Sequence, residues 1–362
     1  MLVLALGGVN AIACAPAKFF PVRDSRGWTE YLGTTSRAPS AGEALALEPK
    51  SQWVTEIGRA AVGSLAIGDS VILVQAVDQT VSAVSRADGE RRWANRLDGP
   101  GASGPLLAWD VVYTATGGPD GRVYALALVD GHEHWSRKIG PVVGPIATFE
   151  KKVFVATERG GVEALESERG SVVWRAGLHG PVRSGITVLN GEIIVATDDS
   201  LVALRPDSGR RIRAVQLAAT IAPPAVAGDT LIFVTPTGDA VAVSARTFAP
   251  LWRIPLGPVW GNAAVARDTL FAITTAGMLC RVALADPSHV VRTSVGASVR
   301  AGPMPIADGI LIGTVSGQIM RIAGDSVTVW RDTVDGPIEL PLVVDRGSLI
   351  AVDGRGRIHL WK

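Results

Sequence analysis

Ala164-Leu165-Glu166-Ser167-Glu168-Arg169-Gly170-Ser171-Val172-Val173-Trp174 is the stretch on which the fold turns. An apolar run gives way to a charged turn closed by glycine, and a second run leads into tryptophan. That is the pattern of strand, tight turn and strand. Tryptophan then recurs at Trp53, Trp93, Trp135, Trp174, Trp252 and Trp330, at intervals of 40, 42, 39, 78 and 78 residues. Each long interval is two periods of 39, with midpoints at Arg213 and Val291. Four residues beyond each of these eight positions stands an aliphatic residue: Ile57, Leu97, Ile139, Leu178, Leu217, Leu256, Val295 and Val334. A repeat of about 40 residues built from short strands predicts a β-propeller.

Working outward from Trp174, the third repeat resolves into four strands. Gly140 to Pro145 opens it, and an apolar strand follows up to the turn at Glu150-Lys151-Lys152. Val153 to Ala156 and Val162 to Leu165 are the second and third strands, and Ser171 to Trp174 begins the fourth. After Trp330 the chain supplies three strands, ending with Arg357 to Lys362, while an unmatched strand lies near Glu48 to Ile57. Joining the two closes the ring. The expectation is therefore an all-β, eight-bladed β-propeller of four-stranded antiparallel blades over residues 46–362, its last blade completed by an N-terminal strand. Such closure leaves no free radial edge.

The Ala–turn–Gly–Trp pattern resembles the tryptophan-docking repeat of the quinoprotein (PQQ-type) propeller family. Gly89, Gly131 and Gly170 keep one spacing to Trp93, Trp135 and Trp174, and Gly209 keeps it to Arg213. The resemblance implies that the indoles of Trp53, Trp93, Trp135, Trp174, Trp252 and Trp330 dock structurally on the neighbouring blade. A large apolar plate with one N–H suits that task. Enzymes with this repeat carry a vicinal cysteine pair and acidic calcium ligands. Here Cys280 stands alone in a third strand, and neither a Cys-Cys pair, a helical zinc motif nor a nucleophile elbow occurs in the sequence. No catalytic, cofactor-binding or metal-binding residue is assigned. His132-Glu133-His134 places two imidazoles on one strand face without a third ligand nearby. Asp198-Asp199 and Gly118-Pro119-Asp120-Gly121 read as turns.

The N-terminus suggests export. Met1 to Ala13 is apolar, and Ala11-Ile12-Ala13-Cys14 resembles a bacterial lipobox, with Ala11 where leucine is usual. Residues 1–17 are thus expected to form a signal and lipobox segment with Cys14 as the lipidated residue. A plain cleavable signal and a buried N-terminal strand are the other readings. Residues 18–45, with Pro21, Gly27, Gly33, Pro39 and Gly42, have the composition of a linker. The formal charge is +1, from 35 basic and 34 acidic residues. No block of like charge argues for nucleic acid.

One column differs among the repeats. Just after each crossover to the inner strand most repeats have a small or aliphatic residue (Val62, Val143, Ala222), whereas four have Arg183, Trp260, Arg300 and Glu339. Inner strands line the channel, so these four form a candidate interaction surface at one mouth. Loop variation is the plainer account. An exported, lipid-anchored eight-bladed chain without cofactor residues resembles the BamB-like outer-membrane assembly lipoproteins. That resemblance implies a non-catalytic scaffold facing the periplasm from the outer membrane. Its partners would be cell-envelope proteins, among them the barrel-inserting outer-membrane protein. The alternative is a quinoprotein-like enzyme or small-molecule sensor that uses the central channel.

Overall fold

The computed structural model describes residues 40–362, apart from 219, 221, 325 and 326. Its strands form eight four-stranded antiparallel sheets, and among the described residues there is no helix. Seven blades follow one another along the chain. Blade 3, for example, is built from Ala147–Phe149, Lys152–Ala156, Gly161–Glu166 and Val172–Gly177. Blade 8 is composite: Ser51–Glu56 pairs with Arg357–Trp361, which continues to Ser348–Val352 and Val343–Asp345. The closure expected from the two chain ends is the one observed. Most inner strands have two or three residues, but blades 2 and 4 extend theirs to eight, at Gly101–Ala108 and Val182–Leu189.

Second strands such as Val71–Gln75 are buried along their whole length, since a neighbouring blade covers each face. Fourth strands alternate. In Arg91–Arg96 the indole of Trp93 is buried while its neighbours Arg92 and Ala94 are exposed, as a period of two requires at a rim. The core is correspondingly divided into clusters between blades. One joins Leu73, Val81 and Trp93 of blade 1 to Leu107, Val112 and Leu126 of blade 2.

Each docked indole reaches the next blade. Nε1 of Trp53, Trp93, Trp135 and Trp174 donates to the carbonyls of Arg86, Leu128, Ser167 and Pro206, at 3.2, 2.9, 2.8 and 2.9 Å. The ring lies against the turn glycine of that blade. A Cβ on Gly170 (φ +66°) would stand 2.5 Å from the Trp135 ring, so only glycine allows the approach. Trp252 and Trp330 pack against their own inter-blade clusters. Trp361, outside the repeat series, is a buried third-strand residue whose Nε1 donates to Asp332 Oδ2 at 2.7 Å.

A threonine caps the turn between second and third strands in several blades. Thr157, Thr235, Thr274 and Thr314 each accept, through Oγ1, the N–H four residues on. Blade 8 has Asp353 there instead. It accepts from the N–H groups of Arg355 and Arg357, from Arg357 Nε at 3.0 Å, and is 3.0 Å from His359 Nε2. Burial pushes this carboxyl upward. The hydrogen bonds from His359 and the Arg357 backbone, with the Arg357 charge, outweigh it and hold the carboxyl below its usual range. A depressed folded-state pKa adds stability that is present above the ordinary carboxylate range and lost as pH falls through the folded value. Asp353→Asn should therefore lower the thermal midpoint more at pH 7 than at pH 3. Equal losses at both pH values, read by circular dichroism, would contradict this.

Of the stretch with linker composition, residues 40–45 fall among those described, and they lie on the propeller. Ser40 is buried and its Oγ both donates to Val344 O and accepts from Val344 N, at 2.7 Å each. Leu45 joins the cluster between blades 7 and 8.

Candidate functional site

The channel mouth is built from the crossovers that enter the inner strands. Isolated bridges such as Val259↔Thr274 and Ile338↔Asp353 fix the residue before the crossover, so the next residue points to the mouth. In blade 4 the pair Val182↔Thr197, followed by a bulge, does the same for Arg183. Crossovers of successive blades touch through backbone. A Cβ on Gly63 would fall 2.1 Å from Gly104 N, so the ring narrows to main chain at this level.

The four residues of the variable column come together. Arg183, Trp260, Arg300 and Glu339 all line one cavity of about 230 Å³, with Ser184 and Asn262 between them. Trp260 is 70% exposed. Arg300 reaches Glu339 on the next blade at 2.8 Å, and Arg183 reaches Asp198 at 3.1 Å. These pairs are about half exposed, where an ion pair contributes only ~0–1 kcal/mol. They hold the side chains in place but separate at little cost, and Trp260 presents a large apolar face beside them. Amphipathic aromatics and arginines are the residue types that anchor protein interfaces.

Sequence reasoning placed the column but not its partners. Asp198 reads as a turn residue, and only the return of the second strand toward the mouth brings it to Arg183. Asp199, its neighbour, accepts from Ser200 and Thr197, which lower its carboxyl below the usual range. Asp120 of the Gly118–Gly121 turn pairs with Lys138. His134 lines a groove with Trp109, Tyr113 and Lys151, while His132 donates its backbone N–H to Asp130. Among the described residues no three His, Cys, Asp or Glu side chains assemble as a metal site. Cys280 is fully buried and burial pushes its thiol up, the setting of a packing residue rather than a nucleophile. Cys14 lies outside the described residues.

Fold and repeat define a propeller of the PQQ type whose channel mouth carries an aromatic and two charge pairs. The family described as outer membrane protein assembly factor BamB matches residues 40–142 and 119–326. That is more than half of the chain, and the chain belongs to this family. A relative from Yersinia pestis, named outer membrane protein assembly factor BamB, is 25% identical over 174 residues, covering 43% of this chain and 44% of the relative. The protein of the same name from Burkholderia pseudomallei is 30% identical over 161 residues, covering 42% of each. The matched stretch thus spans less than half the length of either relative. The crystal structure of BamB from Moraxella catarrhalis superposes with a TM-score of 0.68 at 16% identity, covering 86% of this chain and 98% of that one. A quinohemoprotein alcohol dehydrogenase from Comamonas testosteroni gives 0.75 at 12% identity, covering 94% and 81%. At such identities both likenesses speak to the fold alone, and the family match distinguishes where they do not.

Proposed function

We propose that this protein is a non-catalytic interaction scaffold of the bacterial cell envelope that assists assembly of outer-membrane β-barrel proteins. In this reading residues 1–17 direct export, Cys14 carries the lipid anchor, residues beyond it form a tether, and the propeller faces the periplasm. The membrane is met only through the anchor. The partners are envelope proteins, the barrel-inserting protein first among them.

The observation that carries this reading is the family match over residues 40–326, since the relatives that share it are named as assembly factors. The mouth geometry supports it. A cavity of about 230 Å³ is below the ~300–1,000 Å³ of ordinary small-molecule sites, whereas Trp260 flanked by Arg183 and Arg300 offers a surface to a protein. The scaffold reading is thus favoured over chemistry in the channel.

The test is affinity purification of the full-length protein from its own host, with mass spectrometry of its N-terminus and its partners. A diacylated Cys14 recovered with a barrel-inserting outer-membrane protein is the expected result. Trp260→Ala should reduce the recovered partner roughly 10- to 30-fold, as removal of an interface anchor does. An unmodified N-terminus without an envelope partner would overturn the proposal.

A further inference from the structure

In blades 2, 3, 4, 6 and 8 the first and second strands are joined by two residues that both have positive φ. The first of the two is Trp109, Glu150, Asn190, Arg267 and Arg346 in turn. Such a hairpin favours asparagine, aspartate or glycine, and a bulky side chain at positive φ is strained. Of these five turns only that of blade 2 holds an aromatic ring, at φ +54°. Burial does not account for it, because Trp109 is 49% exposed.

The indole is nevertheless fixed. It meets Tyr113 edge to face, with centroids 6.4 Å apart and planes at 81°, a favoured aromatic geometry. Tyr113 is buried and lies 6.1 Å from the ring of Trp135. The Tyr113 hydroxyl and Trp135 Nε1 both donate to Ser167 O, at 3.2 and 2.8 Å. An exposed aromatic plate is thus braced against the core at the junction of blades 2 and 3.

Beside it runs a groove of about 420 Å³, lined by Trp109, Val111 and Tyr113 with His134, Lys151 and Glu168. That volume falls within the ~300–1,000 Å³ of ordinary small-molecule sites. Lys151 supplies donors, Glu168 supplies acceptors, and an imidazole such as that of His134 supplies one of each. Lys151 and Glu168 are exposed and 3.7 Å apart, a pair that parts at little cost. Their charges cancel, so an anion would meet Glu168 and a cation would meet Lys151. The main chain of Ser167 is already engaged, its N–H with Lys151 O and its carbonyl with the two rings. An extended peptide finds no ladder partner in it.

We infer that this groove binds a neutral oligosaccharide, with one pyranose ring lying flat on Trp109 and its hydroxyls bonded by Lys151, Glu168 and His134. A pyranose has a face of C–H groups, which packs on an aromatic plate, and a perimeter of hydroxyls that both donate and accept. One flat apolar wall beside donors and acceptors of cancelling charge matches both. The half-exposed indole leaves room for the neighbouring sugars of a chain. In an antiparallel blade the turn after the first strand lies on the face opposite the crossovers. The site is therefore separate from the channel mouth and does not rest on its role.

The probes are cellohexaose, maltohexaose and N-acetylated chitohexaose, titrated into the full chain by calorimetry beside the methyl glycoside of each sugar. Saturable binding of at least one hexasaccharide, tighter than that of its monosaccharide, is expected. Trp109→Asn should weaken it at least about tenfold, while the thermal midpoint holds or rises because asparagine suits the turn. Trp109→Phe, which keeps a plate, should retain most of the affinity. Glu168→Gln should weaken binding about threefold or more, as loss of a charged hydrogen-bond acceptor does. Trp260→Ala, at the mouth, should leave it unchanged. The inference is overturned if no hexasaccharide binds, if Trp109→Asn leaves the affinity unmoved, or if Trp109→Phe loses as much as Trp109→Asn. Equal affinity for the monosaccharide would overturn it too, by making a free sugar the ligand. A protein partner lost on Trp109→Asn, without any saccharide binding, would assign the groove to a polypeptide instead.

Discussion

Phe248→Gly should cost about 3–5 kcal/mol, as deletion of a buried phenyl does, and adding Arg213→Trp should return most of that loss. Position 213 is a docking position without its tryptophan. Arg213 there donates to Ala245 O at 2.6 Å, 32 residues on, the same separation as Trp135 to Ser167 and Trp174 to Pro206. Its guanidinium lies 4.4 Å from the centroid of Phe248, and forks onto both oxygens of Glu192. Phe248 in turn occupies the place of the turn glycine and keeps its left-handed backbone, φ +62°. The aromatic plate has changed sides of the junction. Arg213→Trp alone should therefore be harmful by ~1–3 kcal/mol, since an indole and a phenyl would compete for one slot. In the double variant the indole would lie on glycine as Trp174 lies on Gly209. A favourable coupling of about 2 kcal/mol is expected from denaturant midpoints of the cycle. Strictly additive losses would show that the two sites are independent.

The ring junction between blades 8 and 1 should be as sensitive. Arg86→Met is expected to destabilise by about 3–5 kcal/mol, the range for removing one partner of a buried pair. Arg86 and Asp345 are 11% and 10% exposed, and the guanidinium also donates to the carbonyls of Gly68 and Asp345. Arg86→Lys should recover only part of this, because one ammonium cannot span three acceptors held in a fork. The carbonyl of Arg86 is also the acceptor for Trp53, so the same turn receives both links from the composite blade. Limited proteolysis should find the variant opened near residues 40–60. A loss below ~1 kcal/mol, the scale of an exposed pair, would place the strength of the closure elsewhere.

The repeat was legible because its marker has one physical task. An indole that must lie on a glycine and donate to one carbonyl tolerates little change, so Trp93, Trp135 and Trp174 keep time. The mouth column was legible for a related reason: the period fixes where each crossover falls, and a residue type out of place, such as Trp260, is then visible. What the sequence hid depends on return paths and on neighbours far along the chain. Asp198 meets Arg183 only when two strands of blade 4 come together, and Asp353 shows no sign of its four donors. The seat of residues 40–47 was hidden by composition, because Ser40, Gly42 and three alanines read as tether until Arg321 donates to the carbonyls of Leu45 and Ala46. A signal did exist there. Five alanines stand ten residues before a docking position, Arg281 breaks that series, and Arg321 stands nine before Trp330.

The composite blade also sets an order of events. Ser51–Glu56 is the first described strand along the chain, yet its partner Arg357–Trp361 lies more than 300 residues later. Blades 1 to 7 can each form from consecutive residues, whereas the ring cannot shut until the far end has arrived. Long-range pairings of this kind are slow steps in folding. A chain threaded through a membrane from its N-terminus would carry that strand unpaired throughout its passage. The polar pairs at its two ends, Ser51-Gln52 and Thr55-Glu56, are suited to waiting in water.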